Sequence, residues 1–117
     1  MDLTLRLKLL KDGAQIDEDT YNNLLKIIQS FKKDFQIELS EENGGMFITH
    51  LAVALERIKK KELVEPIEEL IFEEVRNDKN FKKANDILGS LENDINISVP
   101  EVERPFILMH IVTLLSK

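Results

Sequence analysis

An all-α bundle of five main helices is the fold class that this sequence predicts, and three observations predict it. Apolar residues recur at intervals of three and four through most of the chain, the period of a helix and not of a strand. Capping and turn residues punctuate those stripes at helical lengths. No Gly/Ser linker, repeat or low-complexity tract divides the 117 residues, a length close to one ordinary domain. The 43% hydrophobic content, with six Phe and one Tyr, suffices to close one core.

The first segment, Leu3-Thr4-Leu5-Arg6-Leu7-Lys8-Leu9-Leu10, alternates as a strand would, yet Leu3, Leu7 and Leu10 also fit one helical face. Both readings stand, with helix preferred, and residues 1–15 are expected to form an N-terminal extension packed on a domain of residues 16–117. Asp12-Gly13 signals a turn, after which Asp17 or Asp19 can cap a helix over about 18–35 carrying Tyr21, Leu24, Leu25, Ile28, Phe31 and Phe35. Ser40 with Asn43 can open the next helix, although Gly44-Gly45 weakens its first turn and delays the regular part to Met46. Its stripe is Phe47, Leu51, Ala54, Leu55 and Ile58, ending near Lys61.

Glu65-Pro66 marks a restart, since proline fits a first helical turn and keeps its predecessor out of the helical region. Ile67, Leu70, Ile71 and Val75 are then the stripe of a short third helix, which Asn77-Asp78 breaks. Phe81, Ala84, Ile87, Leu88, Leu91 and Ile95 define a helix over about 80–95. The last helix is expected from Pro100, with Ser98 as an upstream cap and a local irregularity at Pro105, and carries Ile107, Leu108, Ile111, Leu114 and Leu115 to the end of the chain.

Charge and composition narrow the function classes. Charged residues make up 32% with a net charge of −6, which disfavours the broad attraction to phosphate backbones that direct nucleic-acid binding needs. Lys32-Lys33 and Lys59-Lys60-Lys61 read as solvated helix ends that complement the macrodipole. The absence of cysteine excludes disulfides, thiolate metal sites and cysteine nucleophiles. With no signal-peptide pattern over residues 1–11 and no membrane-length apolar run, a cytoplasmic location without membrane contact is expected.

His50 and His110 are the only histidines, and each borders the apolar stripe of a strongly hydrophobic segment. At 100° per residue, with Phe47 at zero, His50 and Arg57 fall together about 60° to 80° to one side. With Ile107 as origin, Glu103 and His110 fall together about 40° to 60° off. If the two helices pack antiparallel on those flanks, His50 lies across from His110 and Arg57 across from Glu103. The bland alternative is that each histidine merely borders the core with one nitrogen satisfied.

Three chemical uses compete with that. A metal site would need more ligands than two histidines, and no HxxxH or ExxH spacing supplies them, so no metal or cofactor is expected. A hydrolase would need a hydroxyl nucleophile; Thr49 points elsewhere on the helix than His50, and Thr113 lacks an oxyanion loop, so catalysis is not expected. The third use is covalent: an imidazole nitrogen accepts a phosphoryl group, which would gain bonds near Arg57 and be repelled near Glu103.

The stretch Phe47-Ile48-Thr49-His50-Leu51-Ala52-Val53-Ala54-Leu55-Glu56-Arg57-Ile58, then Val64-Glu65-Pro66-Ile67, Phe81-Lys82-Lys83-Ala84 and Glu103-Arg104-Pro105-Phe106-Ile107-Leu108-Met109-His110-Ile111, resembles the PTS regulation domain, or PRD. The resemblance covers roughly residues 16–117 and implies a five-helix PRD-like bundle. It also implies that His50 and His110 are phosphoacceptors for HPr or sugar-specific enzyme II components, with Arg57 and Glu103 in support, in a homodimer. Thr49 stands where the family often has aspartate, and Glu65 where it has asparagine, so the first site departs from the family pattern.

Antiterminators of this family carry an RNA-binding module and two PRDs, whereas this chain is similar to the small stand-alone PRD proteins. The resemblance therefore implies a phosphohistidine-controlled regulator of transcription or antitermination of a carbohydrate-utilisation operon. The alternative is an unphosphorylated PRD-like dimerisation or docking scaffold.

Overall fold

The computed structural model describes residues 2–62 and 64–116. Six helices, not five, follow one another among the described residues, and no strand occurs there. They are α1 (Leu3–Asp12), α2 (Glu18–Phe35), α3 (Glu41–Lys59), α4 (Glu69–Arg76), α5 (Phe81–Ile95) and α6 (Arg104–Leu115). The extra helix is α1, where the alternating leucines resolve to the helical face: Leu3 and Leu7 are buried one turn apart, and Leu10 packs on the same core. Asp2 starts it by accepting the Leu5 N–H at 2.7 Å. α1 lies against α2 and α3, so residues 3–12 contribute directly to the core.

Caps define the next two helices. Asp17, and not Asp19, takes the Thr20 N–H at 2.9 Å. Lys59, from the far end of α3, reaches back to Asp17 and so ties two helix ends together. The Lys59 ammonium and the Thr20 N–H hold the Asp17 carboxyl at about 2, well below the ordinary aspartate value.

Ser40 and Asn43 form a reciprocal capping box, which starts α3 at Glu41. The glycine pair therefore does not delay the helix to Met46. Gly44 is buried against Leu39, where a Cβ would come within 3.1 Å of the leucine side chain, so its smallness allows the loop before α3 to close on the helix.

The later boundaries differ from expectation for local reasons. Pro66 and Ile67 precede α4 instead of opening it, and Leu70 and Ile71 are exposed at 77% and 43%. Val75 is the buried residue of α4, while Phe72 packs edge-on to Phe81 at 6.3 Å. Residues 101–103 form a turn on the Pro100 carbonyl, which accepts from Glu103 and Arg104. α6 therefore begins at Arg104, and Pro105 sits in its first turn, where the missing N–H costs nothing and no irregularity is needed. The expected run to the chain end includes Lys117, which lies outside the described residues.

Phe31 of α2, fully buried, meets Phe35 and Phe47 edge-to-face at 6.1 and 5.5 Å. α2 packs on α5, α5 on α6 and α6 on α3, which closes the ring of helices around that core. α4 completes it from the side of α6. This arrangement sets α3 against α6 along the flanks that carry the histidines.

Because Leu7 is fully buried, Leu7→Ala is expected to lower unfolding free energy by about 2–5 kcal/mol. Urea denaturation followed by circular dichroism checks this; a loss under about 0.5 kcal/mol, typical of a surface substitution, would mean that α1 is peripheral to the fold.

Candidate functional site

α3 and α6 run antiparallel along their contact, because residues ascending from 50 to 57 on one meet residues descending from 110 to 103 on the other. The apolar stripes fix this pairing: Phe47, Leu51, Ala54 and Leu55 of α3 and Ile107, Ile111 and Leu114 of α6 all enter the core. The flanking residues are thereby held at the edge of the seam.

His50 and His110 stack there with ring centroids 4.3 Å apart and planes within 7° of parallel. His50 is exposed and His110 half-buried. Burial first, and then the neighbouring His50, push His110 below the ordinary histidine value, because a second cationic charge in that place would be poorly solvated.

Two turns along the seam, the Arg57 guanidinium grips Glu103 in a bidentate pair: Nε donates to Oε2 and Nη2 to Oε1, both at 2.7 Å. Glu103 is 2% exposed, and the Arg57 side chain 26%. The hydrogen bonds from Arg57 to Glu103 raise the arginine further above its already high ordinary value. Glu103 also occupies the N-cap position of α6 without capping it through its side chain. The carboxylate is committed across the seam instead.

Between these pairs opens a cavity of about 220 Å³, lined on the polar side by His50, Arg57 and His110 and walled by Phe47, Val53 and Phe106 among others. The four residues singled out in the sequence are thus brought together, in the pairing that the wheel geometry anticipates.

Residues that the sequence reading missed support this seam from outside. Arg104 donates to Glu92 at 2.7 Å, and Glu92 also accepts the Val99 N–H at 2.8 Å, so the turn into α6 is pinned to α5. Burial pushes the Glu92 carboxyl up, but the bonds from Arg104 and Val99 outweigh it and leave it below the ordinary value. On the other side, Arg6 of α1 pairs with Glu41 and donates to the Thr49 hydroxyl at 3.1 Å, one residue before His50. Neither contact has a signal in local spacing, since each joins residues whose approach depends on how helices pack.

The chemistry open to the site follows from this geometry. Lone pairs of imidazole nitrogens lie in the ring plane, so two rings stacked in parallel planes do not aim them at one shared ion. Among the described residues, no group of three or more His, Cys, Asp or Glu is placed to hold a metal. The hydroxyls of Thr49 and Thr113 donate to their own helix backbones, at Gly45 and Met109, both at 2.9 Å, instead of to either histidine. What the seam offers is two imidazole rings and, two turns away on the same cavity, a guanidinium.

Residues 25–114 match the PRD domain family, a stretch that runs from within α2 to near the end of α6 and includes both histidines, Arg57 and Glu103. The chain belongs to the PRD domain family. PRDs are regulatory domains of the phosphotransferase-system type, and components of that system phosphorylate them. The chain is also similar to YhfY, an uncharacterized protein of Escherichia coli (strain K12), with 23% identity over 106 residues, covering 91% of this chain and 88% of the relative. No solved structure matches the chain. The helix α1 precedes the matched stretch, and no helix among the described residues is long and apolar enough to cross a membrane.

Two outcomes are expected of the seam. Arg57→Met strands the Glu103 carboxylate in its buried place and is expected to cost about 3–5 kcal/mol, while adding Glu103→Leu recovers most of that loss. Chemical denaturation of the single and double variants measures both. The second outcome concerns pH: because folding depresses His110, the unfolded chain binds the proton more readily below the ordinary value of 6.5. The His110 contribution is therefore complete above that pH and is lost as pH falls through it toward the lower folded value. The slope of stability against pH in this window is expected to flatten in His110→Gln.

Proposed function

We propose that this PRD is a phosphorylation-responsive regulator in which His50 and His110 accept phosphoryl groups from HPr or enzyme II components. Its output is control of transcription or antitermination of a carbohydrate-utilisation operon, exerted as a cytoplasmic homodimer. The observation that carries the reading is the stacked histidine pair on the α3–α6 seam, next to the buried Arg57–Glu103 pair, in a chain of this family.

In the transfer, a lone pair on a neutral imidazole attacks phosphorus, the P–N bond of the donor phosphohistidine breaks, and the acceptor's ring proton passes to the freed donor imidazole. His50, the more exposed ring, is the first to meet a donor. The new group brings a charge of about −1.5 to −2. Arg57 lies on the same flank of α3 and is the cation that such a group would draw on.

Any hold the phosphate takes on Arg57 weakens the hold on Glu103, which at 2% exposure has little water to turn to. The element biased by phosphorylation is thus the α3–α6 contact itself. The homodimer is supported by Met46 and Val53, exposed at 65% and 55% on the same face of α3 as His50, an apolar surface of the kind a partner covers.

The scaffold reading rests on Thr49. Its hydroxyl is engaged by Gly45 and Arg6 and brings no negative charge to the residue before His50. An unphosphorylated docking module keeps partner binding in His50→Ala/His110→Ala, whereas a switch loses its response to sugar state.

Incubation with phosphoenolpyruvate, enzyme I, HPr and a panel of enzyme II proteins is expected to place acid-labile, alkali-stable label on this chain, and His50→Ala/His110→Ala is expected to take none. Absence of label across the panel, with another PRD labelling in parallel, would sink the phosphoacceptor reading.

A further inference from the structure

We infer that the two stacked imidazoles act as one acceptor, so that a phosphoryl group on either histidine excludes a second from its neighbour. This rests on the phosphoacceptor reading and adds a rule about its stoichiometry. The geometry is specific to the seam: the centroids are 4.3 Å apart, the planes are within 7° of parallel, and both rings are anchored on helices whose apolar stripes are locked in the core.

Three consequences of that geometry act together. A tetrahedral phosphoryl group is wider than the spacing between the rings, so two groups on like edges of the stack would collide. Where they point to different edges the charges still meet. Even at the dielectric constant of water, groups of about −1.5 to −2 charge roughly 6 Å apart disfavour double occupancy by roughly 10- to 100-fold.

The third consequence concerns the nucleophile. In the unmodified seam, burial and the neighbouring imidazole both favour neutral His110. A phosphoryl dianion on His50 reverses the sign of the neighbour's effect on His110 and favours protonation of that ring. A protonated imidazole has no lone pair with which to attack phosphorus. The first modification therefore disarms the second acceptor as well as repelling its charge.

Arg57 does not relieve this restriction, because its guanidinium is already shared with Glu103 and, among the described residues, it is the one such cation that lines the cavity. Loading both rings on like edges would require the stack to open and α3 to part from α6 at this point, and loading them on different edges meets the charge repulsion. The seam then reports one bit per protomer: occupied or not, whichever donor delivered the group.

Potassium phosphoramidate tests this without any donor protein. Imidazole attacks its phosphorus, the P–N bond of the reagent breaks, and the ring proton leaves with ammonia as ammonium. Intact-mass measurement after exhaustive reaction at neutral pH is expected to show one phosphoryl group on the folded wild-type chain and two on the chain in guanidinium chloride. His50→Gln and His110→Gln, each folded, are expected to carry one group apiece.

Two groups on the folded wild-type chain would overturn the exclusion while leaving the phosphoacceptor reading intact. One group on the wild type with none on one of the single variants would overturn it too, because the limit would then come from an unreactive ring. No group on any folded chain would overturn both.

Discussion

A carboxylate that is 2% exposed must be given, by the protein, what water would otherwise give it, and Glu103 receives this from both arms of the Arg57 guanidinium. The pair spans α3 and α6 at one end of their contact. It fixes their register, since a shift of one turn on either helix would leave a buried charge without its partner. The histidine stack at the other end depends on that register. So does the cavity between them, whose polar side is made of His50, Arg57 and His110.

The seam is held by its surroundings as much as by its own contacts. Arg104 and Glu92 fix the turn that leads into α6, and Arg6 with Glu41 ties α1 to the first turn of α3. These are partly exposed pairs, and their direct contribution to stability is modest. Their consequence is positional. They limit how the ends of α3 and α6 move, and a site built from flanking residues is sensitive to such movement.

A phosphoryl switch needs an element with two arrangements and a charge change that favours one of them. Here the charge change would fall beside an ion pair that is itself the main polar tie of the contact. Apolar packing of Phe47, Leu51, Ile107 and Ile111 holds the helices together irrespective of charge, so a response to the proposed modification would be confined to the flank. That division between an apolar stripe and a polar flank lets one contact serve as a core element while its flank carries the residues of the proposed switch.

Apolar periodicity and caps made most of this fold legible in the chain itself. Five helices follow from stripes at three- and four-residue intervals, and the positions of His50, Arg57, Glu103 and His110 on their flanks follow from the same period. The boundaries that misread were those where a local signal had two physical meanings. Pro100 fits a helix start until the turn on its carbonyl moves that start to Arg104, whereas the alternating leucines at residues 3–10, which fit strand as well as helix, keep the preferred helical reading because α2 and α3 supply a surface for Leu3 and Leu7. Family membership was also carried by the sequence, as spacing among chemistry-bearing residues.

What only the tertiary structure decided was which flank met which, at what distance and in what degree of burial. The face-to-face geometry of the histidines, the burial of Glu103 and the reach of Arg6 to Thr49 all depend on interhelical packing, to which no local spacing is sensitive. A helical period determines the direction of a side chain about its own axis, and only the packed core determines what it faces.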